Sequence, residues 1–197
     1  MKFLIFFSIM VAHLSAHGRM MVDKYGRAYS KTQAKVAPDT STLRKIRRVG
    51  VSFGLAGLSG SFGLGLDLNF TPKNGFQTGF GVGNDFQTFH MQYKHYVSGD
   101  SFSPYIGAGF ARWYTTGEPK RNFNKTSPSF LAEKFLNNEE KQGKFAENFL
   151  FPSAGIQFMQ LKGEWAGTAI YGELAMLIDI DDLVAAPTGG LGMSYYF

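Results

Sequence analysis

From residue 49 to the end of the chain, apolar residues alternate with small or polar ones. In "SFGLGLDLNF", Phe62, Leu64, Leu66, Leu68 and Phe70 alternate with Ser61, Gly63, Gly65, Asp67 and Asn69 without exception. Such a period of two marks a strand with two unlike faces. "VGVSFGLA" sets Val49, Val51, Phe53 and Leu55 against Gly50, Ser52, Gly54 and Ala56 in the same way. The pattern returns over about residues 76–83, 87–97, 104–114, 148–160, 167–178 and 190–197. "TPKNG" (71–75) supplies turn chemistry between the second and third strands. Eight strands are predicted, most of them about nine to twelve residues long, the length a tilted strand needs to cross a bilayer. Strands of ordinary globular proteins run to about five or six. The fold predicted is all-β, an eight-stranded antiparallel transmembrane β-barrel occupying residues 49–197, with a short helix in one extracellular loop.

Periodicity alone does not say which face meets the solvent. A soluble barrel would turn its apolar face inward, and a membrane barrel would turn it outward. Composition favours the second reading. The chain holds 20 Phe, 9 Tyr and 24 Gly but no Cys, so an exported barrel must hold together without disulfides. Export is predicted from residues 1–18, where Lys2 precedes an apolar run to Leu14 and then Ser15, Ala16 and Gly18. These are the parts of a signal peptide, cleaved after Ala16 or after Gly18. The net charge of +5 is concentrated in residues 19–48, where nine Lys and Arg face only Asp23 and Asp39. That segment is expected to be a basic, mostly disordered periplasmic stretch whose final cluster meets anionic headgroups. Export makes nucleic acid an unsuitable partner.

The chain closes on "GGLGMSYYF", with Leu191, Met193, Tyr195 and Phe197 on one face. This ending resembles the C-terminal assembly signal of Gram-negative outer-membrane barrels, carried here by Gly192, Tyr195 and Phe197. Gly190 departs from it, being small where the family is usually polar. "SPYIGAGFARWY" (103–114) resembles a strand of small OmpA-like and OmpW-like barrels. The resemblance implies an outer-membrane location and insertion by barrel-assembly machinery. It also implies contact with outer-membrane lipid, including lipopolysaccharide. A monomer is expected.

The strand assignments place Asp67, Asn69, Gln77, His90, Gln92, Lys94 and Glu173 inside the barrel, with Asp67, Lys94 and Glu173 near mid-depth. Charges buried there must be paired or wetted. They form either a polar network that packs the lumen shut or a charged constriction in a narrow water path. Eight strands leave an interior that side chains just fill, although many inward positions are glycine. A lipid A-modifying enzyme would need a histidine base beside a nucleophile. His90 with Glu173 is the candidate pair, while His95 is expected to face outward. No pattern indicates a cofactor or metal. In the long connection 115–147, Ser127-Pro128 reads as a helix start, with Phe130, Leu131 and Phe135 as an apolar stripe over the barrel mouth. The expected function is a structural or surface-interaction role without catalysis. A narrow solute channel is the first alternative and a lipid A-modifying enzyme the second.

Overall fold

The computed structural model describes residues 20–22, 28–30, 39–97, 99–115 and 128–197. The signal segment lies outside the described residues. Short strands β1 (Met20–Val22) and β2 (Ala28–Ser30) pair antiparallel with each other. The helix α1 (Thr40–Ile46) precedes the strands β3 (Val49–Ala56), β4 (Phe62–Asn69), β5 (Asn74–Val82) and β6 (Gln87–Tyr96). β7 (Phe102–Tyr114), β8 (Ala146–Met159), β9 (Thr168–Asp179) and β10 (Ala185–Tyr196) follow. β3 to β10 close into a barrel in which each strand is antiparallel to its neighbours and β10 returns to β3. The closing register runs from Gly190 opposite Ala56 to Tyr196 opposite Gly50. The Phe197 amide adds a hydrogen bond of 2.9 Å to the Val49 carbonyl.

All eight predicted strands are present with the predicted facing. The outward residues are the apolar set, and they are exposed: Phe62, Leu64, Leu66, Phe80, Ile106, Leu150, Ile170, Leu174, Leu191 and Met193 among others. The inward set is buried, from Ser52 through Gln77, His90, Gln92 and Lys94 to Ser153 and Ser194. One end of the barrel carries the first strand's start and the C-terminus, and is called here the terminal end. The other, the loop end, carries the connections after β3, β5, β7 and β9.

At the loop end the chain after β3 turns into the lumen. Ala56, Gly57 and Gly60 take positive φ values of 60°, 59° and 70°, and Gly57–Ser59 make one 3-10 turn. Glycine supplies such angles without steric cost. The turn buries Leu58 in a cluster with Phe86, Trp113, Leu131, Phe135, Phe149 and Leu177. Ring contacts tie it together: Phe86 stacks on Trp113 at 5.2 Å, and Phe135 meets Phe149 edge-on at 4.8 Å. Leu131 and Phe135 come from the long connection, whose expected helix is a five-residue π-helical turn at Leu131–Phe135. Its apolar stripe folds into the barrel mouth rather than towards solvent.

The expectation of disorder across residues 19–48 is corrected at its C-terminal part. Residues 40–46 form α1, started by Asp39, whose carboxylate accepts a 2.7 Å hydrogen bond from the Thr42 amide. That bond holds the Asp39 carboxyl below the ordinary carboxylate range. α1 lies across the terminal end, where Leu43 packs with Met159, Leu161, Ala169 and Tyr196. Its other buried residues are Thr40 and Arg44. A hydrophobic-periodicity reading does not count these two, because the surface they meet is a polar lumen.

Gly81 faces the inward turn, and a Cβ there would lie 2.7 Å from the Ser59 carbonyl carbon. Gly81→Val is expected to dislodge the turn and cost about 1–3 kcal/mol, the usual penalty for overpacking. Thermal unfolding of the reconstituted barrel checks this, with Ala154→Val on the outer face expected to leave the midpoint unchanged.

Candidate functional site

The sequence-predicted lumen residues occupy the middle and the terminal end of the barrel. Lys94 on β6 is the centre. Its ammonium lies 4.8 Å from the Tyr105 ring centroid and 4.7 Å from that of Tyr171. A cation over an aromatic face is attracted by the ring quadrupole, more strongly where water is excluded. The carboxylates that face it are Glu173 and Asp67. Glu173 accepts a 2.6 Å hydrogen bond from Gln92, whose amide also donates to Ser153 at 2.7 Å. Asp67 accepts from the Tyr196 hydroxyl at 3.3 Å, and that hydroxyl accepts from Gln157 at 3.2 Å.

A second cation closes the layer below. Arg44 projects from α1 into the barrel, its guanidinium 3.7 Å from the Tyr96 ring centroid. It donates to Gln157 at 2.7 Å, and Thr40 shares a 2.7 Å hydrogen bond with Ser103. Tyr96 and Tyr105 lie 5.5 Å apart. Arg44 and Lys94 are thus held in one column of tyrosines.

Glycine makes room for these rings. Tyr196 is paired across strands with Gly50, Tyr105 with Gly155 and Tyr171 with Gly192. In each pair a Cβ on the glycine would intrude on the tyrosine ring. Gly192, predicted as part of the C-terminal assembly signal, therefore also seats a ring that holds Lys94. Tyr195 and Phe197, predicted to belong to that signal, point outward, and Phe197 is exposed.

Of the predicted set, Asp67, Gln92, Lys94 and Glu173 come together. Asn69 lies lower, its amide donating to the Arg47 carbonyl at 3.5 Å. His90 lies beside Gly79, and its buried Nδ1 meets no protein partner. His95 faces outward as expected and contacts Asn74 at 2.7 Å. Sequence reasoning missed Arg44, Tyr105, Tyr171 and Tyr196. The Tyr–Gly pairing was in the composition, but it emerges only once the register is known.

Ser59, His90, Tyr171 and Glu173 line one cavity of about 20 Å³ beside the inward turn. That is room for a single water. Serine, histidine and an acid share this space, but no acyl chain fits within it.

No protein-family model matches the chain, and no curated protein matches it in sequence. Among solved structures, the N-terminal β-barrel domain of Pseudomonas aeruginosa OprF is similar, with a TM-score of 0.54 at 14% identity. The match covers 77% of this chain and 98% of that domain. The fold is that of a small outer-membrane β-barrel. The Yersinia pestis outer membrane protein Ail gives a TM-score of 0.41 at 16% identity, over 77% of this chain and 99% of that one. In this outer-membrane-type barrel the lumen is filled along its length. Apolar rings occupy the loop end, Lys94 and its partners the middle, and α1 the terminal end.

Lys94→Met would leave the buried Asp67 and the half-buried Glu173 without their cation. A loss of roughly 3–5 kcal/mol is expected, as for a buried charge left unpaired. Adding Glu173→Gln to Lys94→Met is expected to recover part of that loss. Equilibrium unfolding in detergent or lipid checks both, and a purely additive double variant would contradict the coupling.

Proposed function

We propose that this chain is an outer-membrane barrel of a Gram-negative bacterium, exported by residues 1–18, with a structural or surface-interaction role and no catalysis. The observation that carries the proposal is the exposed apolar belt around a closed, polar-lined barrel. A contiguous apolar surface of that extent is untenable in water and natural in hydrocarbon. Phe53, Leu66, Met91, Ile156 and Met193 belong to it, with Phe62, Phe70 and Phe158 near the strand ends. The loop end faces outward in this reading, because it carries the long connection between β7 and β8, and the terminal end faces the periplasm.

A passive role is favoured by the packing of the lumen. A conducting path would have to pass the Trp113 cluster, the Lys94 layer and α1. A lipid-modifying activity would need its acyl substrate to reach His90 through a space the size of one water. Lipid, including lipopolysaccharide, is the expected neighbour of the belt. Barrel-assembly machinery is the expected reader of Gly192, Tyr195 and Phe197. The chain is expected to be a monomer, since all eight strands of the ring come from one copy.

Two measurements test the proposal. The purified protein is expected to migrate differently on SDS gels before and after boiling, and to give no reproducible conductance steps in planar bilayers. Identical migration together with soluble fractionation would overturn the barrel-in-membrane reading. Stepwise conductance would overturn the closed lumen.

A further inference from the structure

The terminal end of the barrel carries exposed cations next to exposed apolar side chains. Lys45 and Arg48 are exposed, and Arg48 Nε donates to the Lys45 carbonyl at 3.4 Å, which fixes the two together. The Arg48 carbonyl accepts from the Asn69 amide at 2.7 Å, so Arg48 sits at the end of β4 beside Phe70. Lys73 is exposed on the next turn, which Thr71 Oγ1 shapes by accepting from the Lys73 and Asn74 amides at 3.3 Å and 3.0 Å. Around these cations Ile46 is 50% exposed and Phe70 58% exposed. Val49, Leu68 and Phe197 continue the apolar surface up the barrel wall. Asp39 and Asp100 lie instead at the start of α1, where the Thr40 amide donates to the Asp100 carbonyl.

We propose that Lys45, Arg48 and Lys73 form a docking surface for the headgroup of an anionic phospholipid, whose acyl chains run along Val49, Leu68 and Phe70. This rests on the membrane reading above and adds to it the class of lipid and the place where it binds. Position and charge argue for it. Arg48 lies one residue before Val49, about 3 Å further along the strand, while Lys73 follows Phe70 by three residues on the β4–β5 turn and Lys45 stands beside Arg48 on α1. That depth is where phosphates follow the hydrocarbon. Each cation near such a surface is attracted to anionic lipid, and salt screens the attraction. Arg48 serves this role through position as well as charge, since α1 holds it in place while Arg47 turns inward to donate to the Tyr196 carbonyl. The seam where β10 closes on β3 would then be flanked by a bound lipid.

The test is native mass spectrometry of the full chain released from bilayers of equal phosphatidylglycerol and phosphatidylcholine. Phosphatidylglycerol is expected to be retained on the order of tenfold over phosphatidylcholine, with the preference falling in high salt. The Lys45→Gln, Arg48→Gln, Lys73→Gln triple variant is expected to lose the preference while keeping heat-modifiable migration. The Lys134→Gln, Lys141→Gln, Lys144→Gln variant, altered in the long loop, is expected to keep it. No preference in the parent chain, or an undiminished one in the first variant, would overturn the inference alone. A chain that never enters the bilayer would overturn the membrane reading and this inference with it.

Discussion

Closure of β10 on β3 is the constraint on which the rest of this structure depends. In hydrocarbon a strand edge has no water to satisfy its amides and carbonyls, so a sheet survives there only as a ring. The ring here is completed by the last strand of the chain meeting the first strand of the barrel, with Met193 opposite Phe53 and Tyr196 opposite Gly50. Tyr196 binds this seam to the interior. Its ring covers Gly50, its hydroxyl joins Asp67 to Gln157, and its carbonyl accepts from Arg47. The segment before the barrel therefore braces the end of the chain, and the two termini of the barrel hold each other.

A closed ring of eight strands has an interior about wide enough for side chains, and this one is filled by pairing large residues with none. Tyrosines lie on glycines across the strands, and the two buried cations lie on the tyrosines. A charge buried so deeply is tolerable only when paired and hydrogen-bonded. Lys94 has ring faces on two sides and carboxylates nearby, and Arg44 has Tyr96 and Gln157. The same packing is what the proposed passive role rests on.

Much of this was legible in the sequence, for a physical reason. A strand in a membrane barrel has one face in lipid and one in a polar lumen, so its period of two is unusually clean, as in Ser61–Phe70. That Asp67, Gln92, Lys94 and Glu173 share one face followed from that period, and strand length, export and the lack of cysteine turned that face inward. What did not follow was anything set by register or by a polar interface. Arg44 looked like one more cation in a basic tail, because nothing local marks it as buried. Tyr171 and Gly192 are far apart in the chain and become partners only when β9 and β10 align. The inward course of the turn at Gly57–Ser59 depends on the space left by Gly63 and Gly81 on the neighbouring strands, which no local pattern marks.

The central claim is that the apolar face of this barrel is its outer, lipid-facing surface. The absence of cysteine permits a direct measurement, because a single introduced thiol carries no background. Leu66→Cys labelled with a fluorophore during refolding, in vesicles containing a lipid-embedded quencher, is expected to be strongly quenched. Unlabelled, the same thiol is expected to resist a water-soluble maleimide. Rapid reaction of Leu66→Cys with that maleimide in the folded, reconstituted protein, without quenching by lipid, would contradict the account.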